Sequence, residues 1–152
     1  MNLVDQRRQN ISDKLEFFGL DQNIETSNRY DYESHPVGDV QKLTSIVFAV
    51  KTKSDAHVGL NFGEKDRWEI VLGGWNNTRS CIRLAMQKDE IISANHCPLS
   101  NERFKSFWIS WTDQSVQVGQ GPQVGENMFM QGKSKDVRRI HSISVSGWSF
   151  TG

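Results

Sequence analysis

The segment richest in binding chemistry is Leu72-Gly73-Gly74-Trp75-Asn76-Asn77-Thr78-Arg79-Ser80. It combines an indole with the side-chain amides of Asn76 and Asn77 and the guanidinium of Arg79. That mixture suits sugar recognition, because an indole face stacks on the apolar C–H face of a pyranose while amides and charged groups bond its hydroxyls. The same residues also make a plain hairpin loop, in which the glycines permit the turn and Trp75 plugs the end of the core. Both readings place a loop between two strands; they differ in whether the indole meets solvent. Asp55 and His57, from a second connection, are candidate further contributors.

Catalytic patterns are missing from the spacing. The 4 histidines stand at positions 35, 57, 96 and 141, none in metal-ligand or triad spacing, so no metal site is expected. Cys97 follows His96 directly, and adjacent residues of a strand point to opposite faces, which prevents a shared proton. No pair of carboxylates is spaced for glycoside hydrolysis. The glycine-bearing segment Gly119-Gln120-Gly121-Pro122-Gln123-Val124-Gly125 follows a strand but opens onto no amphipathic helix, so it lacks the helix N-terminus that binds a nucleotide. No catalytic residue and no cofactor is expected, and the chain reads as a binding module rather than an enzyme.

Most of the elements that would carry the loop have period two. Ile46-Val47-Phe48-Ala49-Val50 is an apolar run of strand length, and Ala56, Val58, Leu60 and Phe62 alternate with His57, Gly59 and Asn61. Further alternation covers 68–72, 81–84, 107–111, 116–118 and 140–146. Short strands at near-regular intervals, without a competing helical pattern, predict an all-β fold, an antiparallel β-sandwich or jelly-roll-like architecture. Residues 1–14 read as a polar N-terminal lead-in and residues 15–152 as a single β-sandwich domain. Between Asp21 and Gln41 the composition predicts irregular chain with one short strand at Tyr30-Asp31-Tyr32. If successive strands alternate in direction, the connections at 52–54, 73–77, 94–104 and 120–139 share one end. That end holds Asp55, Trp75, Asn76, Asn77 and Asn95, while the short turns 63–66, 87–89 and 112–114 lie opposite.

The bulk numbers constrain partners. Lys plus Arg and Asp plus Glu both number 18, so no net field draws in nucleic acid, which is not an expected partner. No apolar run is long enough to cross a bilayer, and no signal peptide is visible in the given sequence, so membrane insertion is not expected and the compartment stays open, cytoplasmic or extracellular after processing. The 2 cysteines, Cys81 and Cys97, lie symmetrically about Asp89. A regular hairpin would set them face to face at disulfide spacing, whereas a bulge would spoil that register and leave two unrelated thiols.

The sequence resembles the farnesoic acid O-methyltransferase-like family in Lys53-Ser54-Asp55-Ala56-His57-Val58, in Trp68 through Ser80 with Ile82-Arg83, and in Phe107-Trp108-Ile109-Ser110-Trp111 with Val118-Gly119-Gln120-Gly121. A weaker similarity runs from Ile140 to Trp148. The resemblance departs at Cys81, where an apolar residue is expected, and over 128–139. The family's name implies methyl transfer from S-adenosylmethionine to a terpenoid acid. Modules of this kind in extracellular, lectin-like contexts imply binding to glycans or proteins instead. The leading expectation is a carbohydrate-binding, lectin-like module using Trp75, Asn76, Asn77, Arg79, Asp55 and His57. Because single sugar sites are weak, a homo-oligomer is expected on avidity grounds. The alternatives are a methyltransferase of terpenoid hormone synthesis and a protein-interaction module.

Overall fold

A computed structural model describes residues 13–18, 22–26, 36–40, 42–63, 66–84, 90–95, 99–112, 114–135 and 139–147, with backbone alone at 13–18, 22–26, 36–39 and 147. The described strands are β1 (Asp13–Phe18), β2 (Gln22–Thr26), β3 (Pro36–Asp39), β4 (Ser45–Lys51), β5 (Ala56–Asn61), β6 (Arg67–Gly73), β7 (Arg79–Leu84), β8 (Glu90–Ala94), β9 (Lys105–Trp111), β10 (Ser115–Gln120), β11 (Met128–Lys133) and β12 (Ser142–Gly147). They form two 6-stranded sheets, ordered β11-β10-β9-β4-β1-β2 and β3-β12-β5-β6-β7-β8. Every pairing is antiparallel. The fold is the β-sandwich that the alternation predicts.

Period two decides which side chains fill the space between the sheets. Across the second sheet, Val145, Val58, Ile70 and Ile82 stand in one row, and Ile143, Leu60, Trp68 and Leu84 in the next. Across the first, Ile46, Ile109, Val118 and Met130 align beside the pair Phe48 and Phe107, whose ring centroids are 5.9 Å apart. These residues belong to one buried core cluster, with Leu84 packed at its margin. Each fully buried aliphatic or aromatic side chain contributes about 1.5–3 kcal/mol relative to exposure.

The alternate positions of the second sheet carry His57, Asn61, Arg67, Glu69, Arg83, Ser144 and Ser146, and all of these are buried as well. Both faces of β5 and β6 are therefore removed from water. Polar residues alternating with apolar ones normally mark a solvated face; here they do not.

Several expectations need correction. Strand β1 begins at Asp13, inside the stretch read as lead-in, and the 21–41 region contributes two strands, β2 and β3, to the two sheets. Tyr30-Asp31-Tyr32 lies outside the described residues. The 120–139 stretch is not one connection, because β11 divides it. Residues 121–127 sit beside the start of β9 through Gly121 N–H bonded to Ser106 O (2.8 Å), whereas Ser134 N–H bonds Gln114 O (2.9 Å) at the opposite end. In the β7–β8 hairpin Cys81 stands opposite Ser93, not opposite Cys97, so the pairing is not centred on Asp89, and the register shift between Ile82 and Arg83 moves it by one residue only. Cys97 itself lies outside the described residues. Cys81 is a free buried thiol, and burial, its largest influence, pushes its pKa up to about 12.

Gly119 has a packing role. Trp108, buried on the outer side of β9, lies against it and donates its indole N–H to Glu126 O at 2.7 Å, which pulls the 121–127 connection over the ring. A Cβ on Gly119 would fall 2.2 Å from the indole. Gly119→Ala is expected to lower stability by about 1–3 kcal/mol, the usual cost of overpacking. Chemical denaturation checks this, and an unchanged midpoint would show that Trp108 can move aside freely.

Candidate functional site

Strand β6 ends in a backbone conformation that its sequence makes possible. Gly73 is left-handed (φ 62, ψ 34), and an added Cβ would meet Asn77 Oδ1 at 2.5 Å and Leu99 at 2.6 Å. After Gly74, three non-glycine residues in succession adopt positive φ: Trp75 at 51, Asn76 at 62 and Asn77 at 61. Thr78 N–H closes this left-handed turn on Gly74 O at 3.1 Å. Such backbone costs an L-residue roughly 1–2 kcal/mol, and asparagine tolerates it better than tryptophan. Trp75 is the strained member.

Hydrogen bonds from neighbouring chain hold the turn. Asn77 Nδ2 donates to Leu99 O at 3.0 Å, and Leu99 N–H returns to Asn77 Oδ1 at 3.4 Å, so one side-chain amide pairs with backbone as a strand would. Thr78 Oγ1 donates to Trp75 O at 2.6 Å, and Gly73 N–H to Ser80 Oγ at 3.1 Å. Asp55 N–H bonds Gly73 O, and Thr52 N–H bonds Ser100 O, both at 2.9 Å. The connections at 52–55, 73–79 and 99–100 thus meet at one end of the sandwich, as strand alternation predicts.

The indole of Trp75 is 45% exposed, so it does not plug the core. The Arg79 guanidinium lies 4.5 Å from its ring centroid, a cation–π contact, and pairs with Glu90 through Nη2. Asn76 is exposed at the tip. Trp75, Asn76 and Arg79 therefore share one solvent-facing surface. Asn77 stands with them in the chain but spends its amide on Leu99.

Asp55 and His57 belong to a different arrangement. Asp55, itself at φ 52, places Oδ2 3.4 Å from His57 Nε2. His57 Nδ1 lies 3.5 Å from Glu69 Oε2, and Glu69 Oε1 accepts from Arg83 Nε. This chain of acidic and basic side chains crosses β5, β6 and β7 beneath the surface, with Glu69 0% exposed. Burial is the largest influence on His57 and drives its pKa below 6.5, opposed by the hydrogen bond and charge of Asp55 and reinforced by the charge of Arg83. Asp55 Oδ1 is buried without a hydrogen-bond partner among the described residues. Glu69 and Arg83 escape sequence reasoning because they sit at positions that alternation assigns to solvent; their direct pairing in the β6–β7 register is the missing signal.

Among the described residues, no group of three His, Cys, Asp or Glu is placed to hold a metal ion, and no helix is long and apolar enough to cross a membrane. The profile of the family described as farnesoic acid O-methyl transferase matches residues 23–152. The chain is also similar to "Uncharacterized protein 5" of Haliotis asinina, at 32% identity over 126 residues, covering 76% of this chain and 72% of that protein.

Two outcomes follow from this geometry. Asn77→Ala should lose about 1–3 kcal/mol, because it strands a partly buried N–H and C=O of Leu99 and places alanine at positive φ. Asn77→Gly, free of the second cost, should lose about 1 kcal/mol less; equal losses in thermal or chemical melts would contradict the strain. For His57 the folded pKa is depressed, so the unfolded chain takes up a proton near 6.5 that the folded chain refuses. Its contribution to stability is complete above 6.5 and is lost as pH falls through the window beneath. His57→Gln should flatten that part of the stability profile, and identical slopes for the two proteins would exclude His57 as its source.

Proposed function

The chain belongs to the farnesoic acid O-methyl transferase family, and from that premise we propose that it works by binding carbohydrate rather than by catalysis. The observation that carries this reading is an exposed indole held on a left-handed turn, with a guanidinium on its ring and the Asn76 amide beside it. The ring would take the apolar face of a pyranose. Arg79 and Asn76 would bond its hydroxyls. Asn77 supports the site by clamping the turn. Asp55 and His57 contribute from beneath, through the Asp55 N–H bond to Gly73 O that anchors the turn's first residue. Strain held by surrounding bonds is common at ligand sites, since it fixes a group that would otherwise relax away. A single site of this size is weak, so avidity through a homo-oligomer is part of the proposal.

The family's description favours a second reading, methyl transfer to a terpenoid acid. The residues fit a methyl-donor nucleoside poorly. The glycine-bearing 119–125 segment joins two antiparallel strands, Gly119 is committed to Trp108, and the described chain beyond it enters β11 rather than a helix.

A glycan array on the purified chain should return saturable hits. Trp75→Ala should leave stability within about 0.5 kcal/mol, as for other exposed positions, while weakening those hits about tenfold, or 1.4 kcal/mol. Unchanged binding by a folded variant would remove Trp75 from the site. An empty array together with saturable calorimetric binding of S-adenosylmethionine would favour the methyltransferase reading.

A further inference from the structure

We propose that Asn76 is an N-glycosylation acceptor. Asn76-Asn77-Thr78 is an Asn-X-Thr triplet without proline at its centre, the pattern that marks such an acceptor on a surface loop. The two adjacent amides differ in availability. Asn77 is bonded at both ends to Leu99, while Asn76 is exposed at the tip and makes no side-chain hydrogen bond with a described residue. Asn76, exposed at positive φ, follows the exposed Trp75 and stands two residues before the exposed Thr78, which leaves its side chain open to solvent for a bulky branched group. The preceding residue is the exposed Trp75, whose ring can receive the C–H face of the first sugar.

The chemistry needs a sugar carried on a polyprenyl pyrophosphate, the co-reactant of this class of transfer. The Asn76 amide nitrogen bonds to the anomeric carbon, and the bond from that carbon to the pyrophosphate oxygen breaks. The pyrophosphate departs with the electron pair, and the amide loses one proton. The Thr78 hydroxyl completes the acceptor pattern. The modification places the chain in a compartment that holds the lipid-linked sugar. It goes beyond the binding reading and bears on it, since a glycan on Asn76 would compete with a free ligand for the Trp75 ring.

A second triplet, Asn10-Ile11-Ser12, lies outside the described residues, so the test must resolve sites. Protein isolated from the organism that makes it is digested with trypsin, and the peptide spanning 68–79 is treated with an N-glycosidase in heavy-oxygen water. Recovery of Asn76 as heavy-oxygen aspartate, with Asn77 unchanged, is expected. Recovery of that peptide only with unmodified Asn76 overturns the proposal. The full chain secreted from cultured animal cells gives a second readout: Thr78→Ser should keep the glycan on 68–79 and Thr78→Ala should lose it. A glycan that persists at Asn76 in Thr78→Ala would contradict the acceptor assignment. These readouts are masses, so they stand or fall separately from sugar binding.

Discussion

Glu69 is a carboxylate with no exposure in the middle of a sheet, and that placement constrains much of the molecule. Removing such a charge from water costs several kcal/mol, which only close, well-bonded partners offset. Arg83 on one flanking strand, β7, supplies the ion pair, and His57 on the other, β5, places Nδ1 3.5 Å from the second carboxylate oxygen. A slip of one residue in β6 would drive Glu69 into the apolar core and lift Trp68, Ile70 and Leu72 out of it. Register is thereby fixed across β5, β6 and β7. The end of β6 then has to fall at Gly73, where the left-handed turn begins.

The turn inherits its position from that register and its shape from the Asn77 amide. Three consecutive non-glycine residues at positive φ would relax in an isolated loop, at roughly 1–2 kcal/mol each. Bonding to Leu99, to Asp55 and within the turn opposes that relaxation. The result is an indole presented to solvent on backbone with little freedom, so less ordering entropy remains to be lost when a ligand arrives. The buried Asp55–His57–Glu69–Arg83 chain and the exposed tip are thus linked mechanically through Asp55, which bonds Gly73 by its backbone and His57 by its side chain.

The sequence reveals strands where apolar residues alternate without interruption, as in Ala56-His57-Val58-Gly59-Leu60 and Phe107-Trp108-Ile109. It hides β1, where Leu15 and Phe17 alternate with Lys14 and Glu16 over too short a run to stand out, β2 and β3, where Gln22, Asn23, Glu25 and Pro36 give no apolar period, and β11, where Met128, Gln131 and Gly132 are weak strand formers. At the site, the exposure of Trp75 was one of two open readings. The difference between Asn76 and Asn77 was not legible, because it depends on Leu99, a partner 22 residues away. Cys81 and Cys97 look symmetrical about Asp89 in the chain, but β7 and β8 pair in another register, with Cys81 opposite Ser93. Alternation likewise assigns His57, Glu69 and Arg83 to solvent, because it reports which face a residue takes and not whether that face is wet.

The most direct measurement titrates isotopically labelled protein with a glycan that it binds, following backbone amide and indole N–H resonances. Sugar binding at the turn predicts shifts at the Trp75 indole and along residues 73–79, with the core of the second sheet still. Shifts elsewhere with the Trp75 resonances unmoved would contradict it.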